Sequence, residues 1–157
     1  MLIDRTKGDK GTLSFHIARF NPLVEALKAF PRCLVVVSGP DAYVSPDWYE
    51  SHDMVPTWNY ATREVQGRAR QLSDEEKRAQ VIALSAEHEE RLKPKKPWLV
   101  DKMTPGRFDK TLEGIVGFEI AIETLDGKWK MSQNRNAADR AGVVKGLEAR
   151  GDMPSTA

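Results

Sequence analysis

The sequence predicts an α+β protein built on an antiparallel sheet that is strongly curved or closed into a barrel, with short helices at its flanks. Three observations carry that expectation. Strand-type segments follow one another in hairpin-like succession, short capped helices interrupt them, and no regular βαβ rhythm announces a parallel sheet. With 157 residues the chain has the size of one domain, long enough to bury roughly two-thirds of the surface its unfolded form exposes. Residues 1–150 are expected to form that domain, and residues 151–157 a flexible tail.

Residues 12–18 alternate strictly, with Leu13, Phe15 and Ile17 on one face and Thr12, Ser14, His16 and Ala18 on the other, which is the pattern of a half-buried strand. Asn21-Pro22 then opens a short helix expected to turn Leu23, Leu27 and Phe30 inward, and Pro31 stops it. Residues 32–38 form a β-branched run that reads as a strand covered on both faces and ended by Gly39-Pro40. Residues 43–60 hold every tyrosine of the chain together with Trp48 and Trp58, interleaved with Pro46 and Pro56.

A second long strand is expected over residues 57–72, with a bulge at Gly67. Ser73 and Glu76 form a capping box for the longest helix, whose stripe is Val81, Leu84, Ser85, His88 and Leu92. His88 reads there as a core histidine. Lys93-Pro94-Lys95-Lys96-Pro97 is a stiff exposed connector, and Thr104-Pro105 starts another short helix. Val116, Phe118, Ile120 and Ile122 alternate along a further strand; Asp126-Gly127 predicts a tight hairpin and residues 128–132 the returning strand. Asn136, with Asp139 three residues on, caps a last helix through Val143, Val144 and Leu147 that Gly151 ends.

A formal net charge of +1 gives no global field toward nucleic acid, membrane or acidic substrate. No apolar run approaches the ~20 residues of a bilayer span, and residues 1–11 are too charged for a signal peptide, so a cytoplasmic location is expected. Cys33 is the sole cysteine and reads as a small buried hydrophobe. His16, His52 and His88 are too scattered for a metal site, and no metal is expected. P-loop, Rossmann and nucleophile-elbow motifs are absent, and no catalytic residue is nominated.

Two stretches carry chemistry. In residues 127–135, Lys128, Lys130 and Ser132 share one strand face and are followed by Gln133, Asn134 and Arg135, the cations, hydroxyl and amides a phosphate needs. A solvated edge strand protected by lysines fits the same pattern. In the other stretch, Trp58, Asn59 and Tyr60, with His16, Tyr43 and Ser45, gather aromatic and edge-bonding groups suited to a flat heteroaromatic ring. Rings of this kind also fill cores and dimer interfaces.

Residues 14–22 with His16, Arg19 and Asn21, residues 39–49 with Tyr43 and Ser45, Val55-Pro56-Thr57-Trp58-Asn59-Tyr60, residues 115–120 and residues 127–135 resemble, in order, the motifs of the PaiB-like family of FMN-binding negative transcriptional regulators. The resemblance runs to about Leu147. It implies an FMN-binding split β-barrel, a homodimer with the flavin at the subunit interface, and a flavin site drawn from Arg19 and Asn21 together with the two stretches above. It also implies DNA as a partner, through the family label alone, since the basic residues here are interleaved with acids. An FMN-dependent oxidoreductase of the pyridoxamine phosphate oxidase-like or flavin reductase-like type is the alternative. Family members begin with further strands, so the chain is expected to lack these, to expose a strand edge and to hold FMN weakly.

Overall fold

The computed structural model describes residues 1–151. Residues 152–157, most of the expected tail, lie outside the described residues. The chain runs β1 (Leu2–Asp4), β2 (Thr12–Ala18), α1 (Leu23–Ala29), β3 (Arg32–Val44), β4 (Thr57–Gln71), α2 (Asp74–Glu90), α3 (Arg107–Leu112), β5 (Ile115–Lys130) and α4 (Ala137–Arg150), with 3-10 turns at Pro46–Trp48 and Val100–Lys102. The strands form one sheet in the order β1-β2-β5-β4-β3. Two compact units divide the chain, one of residues 1–35 and 65–125, the other of residues 36–64 and the chain from Asp126 onward.

In the first unit β2 puts Leu13 and Phe15 on the apolar face as predicted, but it is not half-buried: Thr12 and Ser14 on the other face are buried too, because α2 packs on that side. β2 pairs antiparallel with β5, Phe15 opposite Phe118 and Leu13 opposite Ile120, and the two phenyl rings stack 5.7 Å apart. Leu13, Val65, Ile120 and Ile122 form one apolar cluster, and Val24, Leu27, Val116 and Phe118 another. Burying each such side chain contributes about 1.5–3 kcal/mol. β1, which the charged N-terminal residues hid from periodicity, pairs antiparallel with β2, Leu2 opposite Ser14.

Several expectations are corrected. α1 buries Val24 and Leu27, whereas Leu23 is exposed and Phe30 is 78% exposed, because the helix begins at Leu23 and its inner face is set one residue later. β3 does not end at Gly39-Pro40 but continues to Val44, and it lies at the end of the sheet, where proline sacrifices no ladder bond. Its Leu34 and Val36 are about half exposed, so the run is not covered on both faces.

The capping box of α2 forms as expected, but the helix buries Lys77 and Gln80 rather than an apolar stripe, and His88 is exposed. Asp126-Gly127 makes no hairpin: β5 runs through it as one strand of 16 residues. A turn dipeptide bends a chain only when the residues after it pair with those before it, and here the strand goes on. Gly127 instead leaves room for the Trp129 ring, which a Cβ would meet at 2.7 Å. Gly67 lies where a Cβ would collide with the Ala121 carbonyl oxygen, so close approach of backbone is what requires it.

The second unit has a smaller apolar cluster, Val44, Tyr49 and Val143, with Trp48, Met54 and Leu147 packed against it. Asn136 caps α4, its side-chain oxygen accepting from the Asp139 N–H at 2.8 Å, and Gly151 closes the helix in the left-handed conformation. Gly142 and Gly146 face Trp48 so closely that a Cβ on either would collide with it.

Candidate functional site

Within the second unit, the two stretches that carry chemistry in the sequence lie together. The start of β4 supplies Thr57, Trp58, Asn59 and Tyr60; the end of β5 and the turn after it supply Lys128, Lys130 and Ser132. Ser132 Oγ donates to Asn59 Oδ1 at 3.0 Å in a buried bond, and Lys130 Nζ donates to Thr57 Oγ1. Lys128 Nζ stands 5.5 Å from the centre of the Tyr60 ring. Its pKa is held above the ordinary value, first by its hydrogen bond to Tyr60 and then by the charges around it.

The turn is built by its own amides. Ser132 has φ +57, a left-handed conformation that costs a non-glycine residue of order 1 kcal/mol and persists only where the surroundings enforce it. Gln133 does so: its Oε1 accepts from the Met131 N–H and its Nε2 donates to the Trp129 carbonyl, each at 2.6 Å. The Arg135 N–H closes the turn on the Ser132 carbonyl at 2.9 Å, and the Arg135 guanidinium lies 5.4 Å from the centre of the Tyr49 ring. Asn134 is exposed on this turn.

On the aromatic side, Tyr43 and Trp58 meet edge to face, 5.9 Å between ring centres, and Trp58 is 53% exposed. These rings are not sealed in a core. Ser45 begins the 3-10 turn, its hydroxyl accepting from the Asp47 N–H at 3.3 Å. The loop after that turn is pinned by Asp139, a buried carboxylate that sequence reasoning assigned only to a helix cap. It accepts from the N–H groups of Glu50 and Ser51, from the Ser51 hydroxyl and from Asn136 Nδ2 at 2.8–3.1 Å. The Ser51 N–H holds its carboxyl below the ordinary range against the opposing effect of burial, with the Ser51 hydroxyl, the Glu50 N–H and the Arg135 charge adding. Nothing in the spacing of residues 49–51 and 139 announces this network.

The remaining candidates belong to the first unit and have partners there. His16 Nδ1 bonds Gln80 Oε1 at 3.1 Å. Arg19 Nε donates to the Glu113 carbonyl at 2.5 Å, and Asn21 Oδ1 accepts from the Leu23 N–H at 2.9 Å. Cys33 is half-buried and burial pushes its thiol pKa up, so it stays protonated at neutral pH. No group of three or more potential metal ligands occurs among the described residues. None of the helices there is long and apolar enough to cross a membrane.

The donor set suits a phosphate dianion bearing a flat ring. Lys128 and Lys130 are exposed cations on one strand end, Arg135 stands on the turn, and Trp58 and Tyr43 are exposed. Ser132 and Asn59, joined to each other, fix the two strands at that point.

Residues 1–124 match the family model described as "Putative FMN-binding domain". That span holds the candidates from His16 to Tyr60, and the cationic group from Lys128 to Arg135 follows it. Protease synthase and sporulation protein PAI 2 of Bacillus subtilis is 35% identical over 142 residues, 90% of this chain and 67% of that protein. An uncharacterized protein of Emericella nidulans is 32% identical over 167 residues, 88% of this chain and 66% of that protein. The chain thus spans about two thirds of the length of these curated relatives. Among solved structures, the FAD and heme binding protein from Mycobacterium smegmatis aligns with a TM-score of 0.55 at 18% identity, over 83% of this chain and 58% of that one. The flavocytochrome Anf3 from Azotobacter vinelandii aligns with a TM-score of 0.50 at 18% identity, over 85% and 57%. At such identity the likeness is one of fold, and it bears out the α+β split-barrel class expected from the sequence.

Proposed function

Because the chain belongs to the FMN-binding domain family, whose model it matches over residues 1–124, we propose that it is a PaiB-like flavoprotein that holds FMN and acts in transcriptional regulation. The observation that carries the FMN reading is the juxtaposition of β4 and β5, where Asn59 meets Ser132 and Thr57 meets Lys130. In this reading Lys128, Lys130 and Arg135 neutralise the phosphate, each charge-assisted bond contributing about 1.5–3 kcal/mol. Ser132, Gln133 and Asn134 shape and line the turn. Trp58, Asn59, Tyr60, Tyr43 and Ser45 take the ring side; His16, Arg19 and Asn21 are assigned to flavin binding by the family resemblance. Bound FMN would supply the redox chemistry, and the protein would bind and orient it.

A homodimer accompanies the reading, supported by the half-exposed Leu34 and Val36 on the terminal strand of the sheet. Regulation is supported by the 35% identity to the sporulation protein PAI 2. DNA contact and a cytoplasmic setting rest on the family resemblance. The exposed Trp58 and Tyr43 favour a second reading, an FMN-dependent oxidoreductase, since a ring stacked there stays open to a reaction partner.

The visible spectrum of the purified chain, with mass spectrometry of whatever heat releases, tests the cofactor. Flavin bands and the mass of FMN are expected. A protein that stays colourless after incubation with excess FMN would overturn the reading. Light scattering decides the dimer, and turnover of a reduced nicotinamide by the flavin-loaded protein would move the assignment to the oxidoreductase.

A further inference from the structure

In the second unit, one groove is built from residues that the flavin reading does not use. It has a volume of about 230 Å³, and its walls include Val37, Gly39, Pro40, Ala61, Arg63 and Trp129. Successive side chains of a strand point to opposite faces. Trp129 therefore points away from Lys128 and Lys130, and Arg63 away from Tyr60. The contact of Lys128 with Tyr60 and that of Arg63 with Trp129 accordingly lie on different faces of the β4–β5 pair.

Small residues keep the floor of the groove open. Gly39 lies against Ala61, where a Cβ would stand 3.2 Å from both the Ala61 Cβ and its carbonyl oxygen, and Gly127 leaves room for the Trp129 ring to fold over the strand. The indole is nonetheless 51% exposed. An exposed indole beside an apolar floor offers a second ring a surface to pack on.

Arg63 is the one charged residue that lines the groove. Its guanidinium carbon lies 5.4 Å from the centre of the Trp129 ring, and the group makes no ion pair among the described residues. A guanidinium beside an aromatic ring keeps its in-plane N–H donors for a carboxylate, which it can hold with two parallel bonds. One unmatched cation balances one negative charge. A carboxylate carries that charge, whereas a phosphate monoester at neutral pH carries about 1.5 to 2. The volume lies below the roughly 300–1,000 Å³ of pockets for drug-sized ligands, so a single ring suits it.

We propose that this groove is a binding site for a small aromatic carboxylate, its ring packed on Trp129 and the Gly39–Ala61 floor and its carboxylate held by Arg63. The site goes beyond the flavin reading and does not depend on it.

The test is titration of the full chain with benzoate, followed by NMR of the tryptophan indole N–H groups. Saturable binding is expected, with the largest shift at Trp129. Acetate, which lacks the ring, and benzyl alcohol, which lacks the charge, should each bind at least about tenfold more weakly. Arg63→Gln should weaken benzoate binding about tenfold and bring it level with benzyl alcohol, and Trp129→Ala should abolish it in calorimetric titration. Both side chains are exposed, so the melting temperature should hold in either variant. A protein that takes up benzoate but no FMN would fail the flavin reading alone. The proposal is overturned if benzoate does not saturate the protein, if benzyl alcohol binds as well as benzoate, if Arg63→Gln leaves the affinity unchanged, or if FMN displaces benzoate. It is also overturned if the Trp129 shift follows protein concentration rather than benzoate, which would make the groove a contact between two copies of the chain.

Discussion

The two halves of β5 are one continuous strand with opposite fates. From Ile115 to Ile122 it carries Val116, Phe118, Ile120 and Ile122 into the apolar clusters of the first unit. From residue 123 to 130 every side chain is exposed, Leu125 and Trp129 among them. Residues of one strand thus divide between holding the fold and presenting groups, and the division falls three residues before the boundary between the compact units. Stability and binding are therefore expected to separate by position along a single element.

The sharpest way to break that comparison is to truncate each half. Ile120 is fully buried, so Ile120→Ala should cost about 2–5 kcal/mol in denaturant unfolding, whereas Trp129→Ala should cost less than about 1 kcal/mol. Equal losses would mean that the outer half is as structural as the inner one. The reverse substitution pattern sharpens it: Lys130→Met with Arg135→Met should weaken FMN binding about a hundredfold by fluorescence titration, roughly 2.7 kcal/mol, and leave the melting temperature within a few degrees. An unchanged affinity would remove the phosphate assignment.

A smaller effect distinguishes the ways in which the units are held. Asp139→Ala strips four donors of their acceptor and should lower Tm by roughly 5–10 °C in calorimetry. A Tm within a degree of the parent would show that the loop at residues 49–51 is held by Tyr49 packing alone. The smallest effect is in acid. The Arg70 guanidinium, with the Ser73 N–H, draws the Glu76 pKa from 4.5 down to about 2. A depressed carboxyl pKa gives stability that is present above the unfolded value and lost as pH falls through the folded one. Glu76→Gln should therefore flatten the loss of stability between about pH 4.5 and pH 2, and a parallel profile would deny the ion pair that part.

Local chemistry was legible where it is self-contained. The strand at residues 12–18, the Ser73–Glu76 capping box and the Asn136 cap each involve residues that meet through their own short stretch of backbone, and the structure reproduces them. What depended on distant partners was not. Asp126-Gly127 looks like a turn until β5 is seen to continue through it, and the run at residues 32–38 looks fully covered until β3 is seen to end the sheet. α2 hid its face because the sheet beneath it is polar, so its inward residues are a lysine and a glutamine. The candidate site was half legible: composition marked both stretches, but only the fold pairs Asn59 with Ser132. The Asp139 network joins residues almost ninety positions apart and left no mark on the pattern.

Gly142 and Gly146 on α4 have a meaning for the mutational history and redesign of this protein. Replacing a helical glycine with alanine is among the commonest stabilising changes, worth up to about 1 kcal/mol per site. Here both replacements are closed, because a methyl group at either position would strike Trp48. The helix forgoes roughly 2 kcal/mol of intrinsic propensity to let Trp48 lie against it, the main-chain carbonyl at Gly142 and the indole at Gly146. A library screened for thermostability should therefore return hits elsewhere on α4 and keep these two codons as they are; a smaller side chain at residue 48 would free Gly146 alone, because Gly142 faces the Trp48 backbone carbonyl.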